Sequence, residues 1–401
     1  MSQLMPVADA LAKVLARARP NGETQAVPLM EALGRFLAED VRSAVAVPGA
    51  DNSAMDGYAL RACDAASPLV VNQRIAAGSV GVPLAPGTAA RIFTGAPVPP
   101  GADAVVMQED CEEQDEQLVI RGEVHAGQHV RPRGQDIAEG ATILHRGRRL
   151  RPQDLGLLAS AGLDSVCVYR PLRVAVLSTG DELVEPGAAK PGPGQLYNSN
   201  RYTLAALLRG LGLEVIDGGI VPDDAAVTAE ALQQAAGNAD CIITSGGVSV
   251  GEEDHVRNQV ARLGQLDLWK LAIKPGKPLA FGRVDGTPFI GLPGNPASVF
   301  VTFCLIARPF LLQLQGSLEP DPPQLSATAR FSTQRPGGRQ EYLRVTVTGM
   351  GAGLEAKLFP NQSSGVLSSV SASNALAVIP PGTVVAEGDP VQVMLLDLLS
   401  A

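Results

Sequence analysis

The sequence has little cysteine and no cysteine pattern. Cys63, Cys111, Cys167, Cys241 and Cys304 are odd in number, lie far apart and form no C-x-x-C pair. Neither a disulfide framework nor a cysteine-ligated zinc site is indicated, and a reducing compartment is expected. Positive charge is also in deficit, with 32 Lys and Arg against 41 Asp and Glu, a formal net charge of -9 and a sequence pI near 5.1. A polynucleotide partner requires clustered positive charge, so none is expected. Small anions are not excluded, because a few lysines or a bound cation can reverse the sign inside one cleft.

Long apolar runs are missing as well: none approaches the roughly eighteen residues of a membrane span. The N-terminal stretch MSQLMPVADALAKVLARARP is broken by Asp9, Lys13 and Arg17, so it reads as an amphipathic helix and not as a signal peptide. No internal repeat, low-complexity tract, Walker A or G-x-G-x-x-G motif stands out. A soluble, cytoplasmic chain with no nucleic-acid and no membrane partner is the expectation.

What is present is a chain of 401 residues at 45% hydrophobic and 18% charged, with 43 Gly and 31 Pro. That length exceeds one ordinary core and implies several compact units, and the glycine and proline imply many tight turns. Two helical stretches are expected first, one on Val7, Leu11 and Leu15 and one around Leu29 to Leu37. From Asp51 to about Leu144 short β-like runs (Leu69 to Val71, Ala90 to Phe93, Ala104 to Met107, Gln117 to Ile120) alternate with Gly and Pro clusters, the mark of a small β-rich unit. A helix over Pro152 to Leu163 would return the chain to the N-terminal helices.

From Arg173 the pattern becomes strand, glycine turn, helix. The strands are Val174 to Leu177, Glu214 to Ile220, Cys241 to Thr244 and Trp269 to Ile273. Helices open near Asn200, at Asp223 or Asp224, and at Asn295-Pro296. Such alternation predicts a doubly wound parallel α/β sheet. Leu343 to Val347, Gly353 to Leu358, Ala375 to Ile379 and Val391 to Leu395 are then spaced like a small β-barrel or sandwich. The domains expected are 1–50 with 145–172 (discontinuous, helical), 51–144 (β-rich), 173–316 (α/β) and 317–401 (β-barrel).

Open parallel sheets bind ligands beyond the C-terminal strand ends, and four loops there are unusual. Ser178-Thr179-Gly180-Asp181-Glu182 sets a glycine-bent hydroxylated turn beside two acids, and Val221-Pro222-Asp223-Asp224 again places acids at a strand end. Thr244-Ser245-Gly246-Gly247 runs on through Ser249 and Gly251 to Glu252, Glu253 and Asp254, and GLPGNPAS leads into the Asn295 helix. A Gly-Gly turn alone is usually only a turn. Several such loops at neighbouring strand ends suit a phosphate, because glycines let backbone N-H groups approach and a helix start adds partial positive charge. The acids serve equally as helix caps; around a phosphate they would need Mg²⁺ as a bridge. Lys270, Lys274 and Lys277, spaced among apolar residues, are point charges suited to phosphate. The basic stretch from His129 to Arg151 reads as a solvated face.

Taken together, NSAMDGYA, FTGAPVPPGADAVV, VRPRGQDI, LSTGDEL, TSGGVSVGEEDH, LAIKPGKP, GLPGNPAS and SSGVLSSVSASNALAVIP resemble the molybdopterin molybdenumtransferase family, MoeA in bacteria and the C-terminal domain of gephyrin in animals. The resemblance covers nearly the whole chain. It implies a four-domain subunit that forms a homodimer with a shared active cleft, possible association with other cofactor-biosynthesis proteins, and insertion of molybdate into adenylylated molybdopterin with release of AMP in the presence of Mg²⁺. By this resemblance the catalytic set would be Asp56, Thr94, Asp136, Glu182, Asp223 and Asp254. Asp56, Thr94 and Asp136 would reach the cleft from the neighbouring subunit, and Glu182, Asp223 and Asp254 would bind or orient the metal. Substrate contacts would come from Thr179, Gly180, Asp181, Ser245, Gly246, Gly247, Ser249, Lys270, Lys274, Lys277, Pro293, Asn295 and Pro296, and from Arg344 and Ser364 in the last domain. The alternatives are a pterin adenylyltransferase, whose relatives share the TSGG-type domain, and a non-catalytic scaffold.

Overall fold

A computed structural model describes residues 4–20, 22–114, 117–247, 255–349 and 353–400. The expected site residues Ser249 and Asp254, with Gly251, Glu252 and Glu253, lie outside the described residues. Internal contacts divide the chain into two compact units, Met1–Gln25 with Gly34–Ala38 and Val168–Ala401, and Ala26–Leu33 with Glu39–Cys167.

In the larger unit the N-terminal helix α1 (Val7–Leu15) precedes an α/β body. The body comprises β1 (Arg173–Thr179), α2 (Ser199–Gly210), β2 (Glu214–Val221), α3 (Ala225–Asn238), β3 (Cys241–Ser245), α4 (His255–Leu263), β4 (Gly264–Lys270), β5 (Pro278–Val284), β6 (Thr287–Leu292) and the long helix α5 (Pro296–Leu314). The sheet order is β2-β1-β3-β6-β5-β4. The first four strands are parallel; β5 pairs antiparallel with β6 and the edge strand β4 antiparallel with β5, an antiparallel addition common on doubly wound sheets. The expected strand from Trp269 to Ile273 is divided: β4 ends at Lys270, and Ile273–Lys274 pairs instead with Gln340–Glu341.

Side-chain alternation explains why helices cover both faces. Val174, Val176, Cys241 and Ile243 face one core with Leu204, Leu207 and Leu208 of α2, with α5, and with Ala10 and Val14 of α1. Ala175, Leu177 and Ile242 face the other, with Leu232 and Ala235 of α3 and Val256 and Val260 of α4. Helix α1, expected to join a discontinuous helical domain, packs here because its apolar stripe has this core to cover. Asn198 caps α2 by accepting from the Arg201 amide at 3.3 Å, and Asp224 caps α3 by accepting from the Ala226 and Val227 amides at 2.8 and 2.9 Å. Helix α5 is long and apolar enough to cross a membrane by length and composition, yet 94% of that window is buried; it is a core helix wrapped on all sides.

The C-terminal strands β7 (Leu325–Ala329), β8 (Gln340–Thr348), β9 (Glu355–Leu358), β10 (Ala375–Ile379) and β11 (Pro390–Leu395) are ordered β8-β9-β7-β11-β10, and β10 pairs back to β8. The sheet therefore closes into a five-stranded barrel around Ala329, Val345, Ala356, Ala377 and Val393. Strand β7 had no counterpart in the sequence reading.

The smaller unit holds a six-stranded sheet ordered Ala104–Met107, Gly57–Leu60, Thr88–Ile92, Leu69–Ile75, Gln117–Ile120, Cys111–Gln114. Its short helix Pro152–Ser160 forms where Pro152 to Leu163 is expected to be helical, ending at the Ala161 C-cap. The helix expected around Leu29 to Leu37 does not: one 3-10 turn spans Leu29–Glu31, and Gly34 turns the chain with φ +75°, a conformation incompatible with helix continuation.

Candidate anion-binding cleft

The C-terminal ends of β1, β3 and β6 carry the loops singled out in the sequence. At the end of β3, Gly246 and Gly247 have φ values of +88° and +65°, so both sit where side chains are strained. A Cβ on Gly246 would lie 3.0 Å from the Thr179 carbonyl, and one on Gly247 would lie 2.6 Å from Val256 Cγ2 and 2.8 Å from Thr179 Oγ1. The turn folds tightly against the β1 end and the start of α4, leaving backbone as its outer surface. Beneath it, the buried hydroxyls of Thr179, Thr244 and Ser245 have no hydrogen-bond partner among the described residues. Gly180, at φ +139°, lets the Glu182 carboxylate fold back, since a Cβ there would come 2.4 Å from Glu182 Oε2.

These loops open on a cleft of about 740 Å³. Of the expected residues, Glu182, Gly246, Gly247, Lys274, Lys277, Pro293, Asn295, Pro296 and Ser364 line it. Lys274 is brought to the barrel edge by its pairing with Glu341, whose carboxylate its Nζ meets at 3.2 Å. Asn295 holds the backbone N-cap position of α5 without a side-chain cap bond, so its amide faces the cleft free of that duty. The Ser364 carbonyl accepts the Ala297 amide at 3.0 Å, tying the barrel loop to the start of α5.

The remaining expected residues lie around the cleft. Thr179 and Ser245 are buried below the glycine turn. Asp181 accepts the Asp223 amide at 3.1 Å, which joins two acidic strand-end loops. Lys270 ends β4, where its carbonyl accepts the Met5 amide at 2.8 Å. Arg344 is 1% exposed and is not part of the cleft wall. Its guanidinium donates to Ser369 Oγ at 3.0 Å and to the Tyr342 and Ser363 carbonyls at 3.2 Å each, while its amide donates to Gln362 Oε1 at 2.9 Å. Burial pushes this guanidinium down to about 10. Arg344 thus shapes the loop that supplies Gln362, Ser363 and Ser364 to the cleft.

Sequence reasoning missed Arg339, Gln362, Ser363 and the run Tyr197-Asn198-Ser199-Asn200, all on the cleft wall. The available signals were the polar cluster Asn198-Ser199-Asn200 at a helix start and the motif SSGVLSSVSASNALAVIP, which Ser363 opens; Asn200 Nδ2 donates to the Gly294 carbonyl at 2.7 Å and fixes that loop. Arg339, whose Nη1 donates to the Ile273 carbonyl at 3.1 Å, lies in a loop with no motif to mark it.

In the smaller unit, Asp56 Oδ1 accepts both the amide and the hydroxyl of Thr94. These bonds, the amide first, hold the Asp56 carboxyl below its usual range against a small opposing effect of burial, with Arg91 adding to the lowering. Asp136 is exposed, and its amide donates to the Val47 carbonyl at 3.0 Å. Neither Asp56 nor Thr94 is hydrogen-bonded to Asp136 among the described residues.

Comparison with known protein families matches residues 5–162 to the MoeA N-terminal region (domain I and II), 175–313 to a probable molybdopterin binding domain and 326–396 to the MoeA C-terminal region (domain IV). The molybdopterin molybdenumtransferase of Haemophilus influenzae is 42% identical over 347 residues, 85% of each chain. Molybdopterin molybdenumtransferase 2 of Mycobacterium tuberculosis is 40% identical over 382 residues, 92% of this chain and 94% of that one. The crystal structure of the molybdopterin biosynthesis moeA protein from Pyrococcus horikoshii superposes with a TM-score of 0.86 at 30% identity, covering 98% of this chain and 100% of that one.

Proposed function

The chain belongs to the MoeA family of molybdopterin molybdenumtransferases, enzymes of molybdenum cofactor biosynthesis, and from that premise we propose that its cleft inserts molybdate into adenylylated molybdopterin with release of AMP. The observation that carries this reading is the meeting of the Gly246-Gly247 turn and the start of α5 with Lys274, Lys277 and Arg339 in one cleft. A backbone turn and a helix start suit phosphate oxygens. The cations offset the summed negative charge of phosphates and molybdate, which water would otherwise have to solvate.

Mg²⁺ is part of the proposal. Magnesium takes one or two carboxylates and completes its octahedron with phosphate oxygens and water. Among the described residues no group of three His, Cys, Asp or Glu side chains could cage a metal. Glu182 on the wall, with Asp181 and Asp223 on adjoining loops, fits a cation shared with the substrate's phosphates. When bound, the ion supplies charge neutralisation at the pyrophosphate. The protein's own part is to orient the phosphates on the glycine turn, hold the molybdate oxyanion on Lys274, Lys277 and Arg339, and aim the Glu182 carboxylate. Asp254, Ser249 and Lys270 belong to the same proposed set.

Asp56, Thr94 and Asp136 are assigned, in a homodimer, to the partner subunit's cleft. All five cysteines are free thiols, the state a reducing compartment maintains, and a cytoplasmic site of action completes the proposal. Purified protein mixed with adenylylated molybdopterin, molybdate and Mg²⁺ is expected to yield AMP and active cofactor in equal amounts. Absence of AMP release in the complete mixture defeats the assignment, and ATP-dependent adenylylation of free molybdopterin would replace it with an adenylyltransferase.

A further inference from the structure

The cleft is too large for anions alone: about 740 Å³ is the scale of a pocket for a whole organic ligand. Its cationic residues, Lys274, Lys277 and Arg339, account for phosphate and oxyanion but leave one wall chemically different. That wall is made by Leu183, Leu196 and Tyr197. It is a two-stranded ribbon in which Leu183–Val184 pairs in parallel with Leu196–Tyr197.

The ribbon is fixed from below. The Leu196 amide donates to the Glu182 carbonyl and the Asn198 amide to the Val184 carbonyl, both at 2.9 Å. Glu185 at its base pairs with Arg201 Nη1 at 2.8 Å and accepts from Asn198 Nδ2 at 3.1 Å and from the Tyr202 hydroxyl at 3.2 Å. Yet the side chains that this scaffold presents are uncovered, with Leu196 49% and Tyr197 44% exposed. Tyr197 makes no side-chain hydrogen bond and no ring contact among the described residues. Rigid, exposed apolar and aromatic surface beside a charged pocket has the character of a stacking platform.

We propose that the Leu196-Tyr197 ribbon is the subsite for the flat heteroaromatic ring of the substrate, with Tyr197 as a positioning residue on which the ring stacks while the attached phosphate lies on the glycine turn and lysines. The inference rests on the reading of the cleft as an anionic-substrate site and assigns the ring-bearing end of that substrate. Both adenine and pterin have the required π-face, and stacking on an aromatic residue tolerates either.

Equilibrium binding to the full-length protein separates the two readings. AMP and neopterin monophosphate supply ring plus phosphate, and ribose 5-phosphate supplies phosphate without a base. Wild-type protein is expected to bind at least one ring-bearing probe about tenfold more tightly than ribose 5-phosphate, on the scale of one stacked base. Tyr197→Ala should abolish that advantage and leave ribose 5-phosphate affinity unchanged. Tyr197→Phe should retain it, since the hydroxyl has no partner to lose. Loss for AMP alone assigns the adenine, and loss for the pterin phosphate alone assigns the pterin. Ring-bearing probes that bind no better than ribose 5-phosphate, or an advantage that survives in Tyr197→Ala, would overturn the proposal while leaving the anion site standing. Failure of all three probes to bind would remove both readings.

Discussion

The amide and the hydroxyl of Thr94 converge on a single carboxylate oxygen of Asp56, at 2.7 and 2.8 Å. Two donors on one oxygen leave the other oxygen of an exposed carboxylate free and stabilise its charged form, so the Asp56 carboxyl titrates below its usual range. Asp56→Asn keeps an oxygen to accept the Thr94 amide but removes the charge. If that charge acts on the reaction, the substitution lowers the rate of AMP release by about a hundredfold, the scale of one removed electrostatic contact in a catalytic site, with little change in melting temperature. In wild-type protein the charge persists to lower pH than that of an unbonded aspartate. Unchanged single-turnover AMP release in Asp56→Asn would exclude Asp56 from the chemistry.

Asp154, 3% exposed, yields a prediction about stability. Burial by itself would raise its pKa, but the Arg148 and Arg151 guanidiniums, with the Arg151 amide donating at 3.0 Å, overcome this and hold the carboxyl at about 2 instead of 3.8. A folded pKa below the unfolded one adds stability that is fully present above the unfolded value and disappears as pH falls through the folded one. The size is roughly 2 kcal/mol, from about 1.4 kcal/mol per unit. Urea unfolding of wild type should therefore weaken between about pH 4 and pH 2, and Asp154→Asn should be less stable at neutral pH and flatter across that interval. Parallel pH profiles for the two proteins would contradict it.

The parts of the fold that a linear pattern could reveal are those in which one residue run decides the outcome. The strand Ala375–Ile379 and the strands Ala104–Met107 and Gln117–Ile120 occur with the bounds expected, because alternation and flanking turns are local facts. The Leu29 to Leu37 stretch misled because its apolar spacing looks helical while Gly34 at φ +75° breaks it. The cleft is similar. Gly246, Gly247, Lys274 and Asn295 sit in recognisable loops, whereas Arg339 and Gln362 lie outside any motif and reach the cleft only because the barrel loops fold beside the α/β body. Arg344, a candidate for positioning the substrate by the resemblance, is buried under the loop it supports.

That placement makes Arg344 a test of indirect action. Its planar fork satisfies several partners at once, including the Ser363 carbonyl at 3.2 Å and Ser369 Oγ at 3.0 Å, and a lysine ammonium cannot reproduce the fork. Arg344→Lys should lower stability by about 1–3 kcal/mol, the cost of leaving buried polar groups unpaired. KM for the pterin substrate should rise more than kcat falls, because the loop carrying Ser364 loses its support while no reacting group is touched. A fall in kcat alone, with KM and melting temperature unchanged, would show that Arg344 acts on the reacting atoms themselves.

Two cleft-lining glycines make opposite predictions, and the contrast separates backbone necessity from mere proximity to a ligand. Gly247 combines φ +65° with a Cβ position 2.6 Å from Val256 Cγ2 and 2.8 Å from Thr179 Oγ1. Gly294 also lines the cleft, but a Cβ there meets only Gly246 Cα, at 4.0 Å, and its φ is not positive. Gly247→Ala should cost about 1–3 kcal/mol in strain and overpacking and weaken AMP binding about tenfold or more, because the turn must shift away from the position where its amides meet a phosphate. Gly294→Ala should leave the melting temperature within a degree or two, on the usual scale of an uncrowded surface change. Adding Val256→Ala to Gly247→Ala removes the 2.6 Å contact with Val256 Cγ2 but not the 2.9 Å contact with Val256 Cβ, the Thr179 contact or the φ strain, so it should restore only part of the AMP affinity. Equal effects of the two single substitutions on AMP binding would mean that the turn's conformation is not what holds the phosphate.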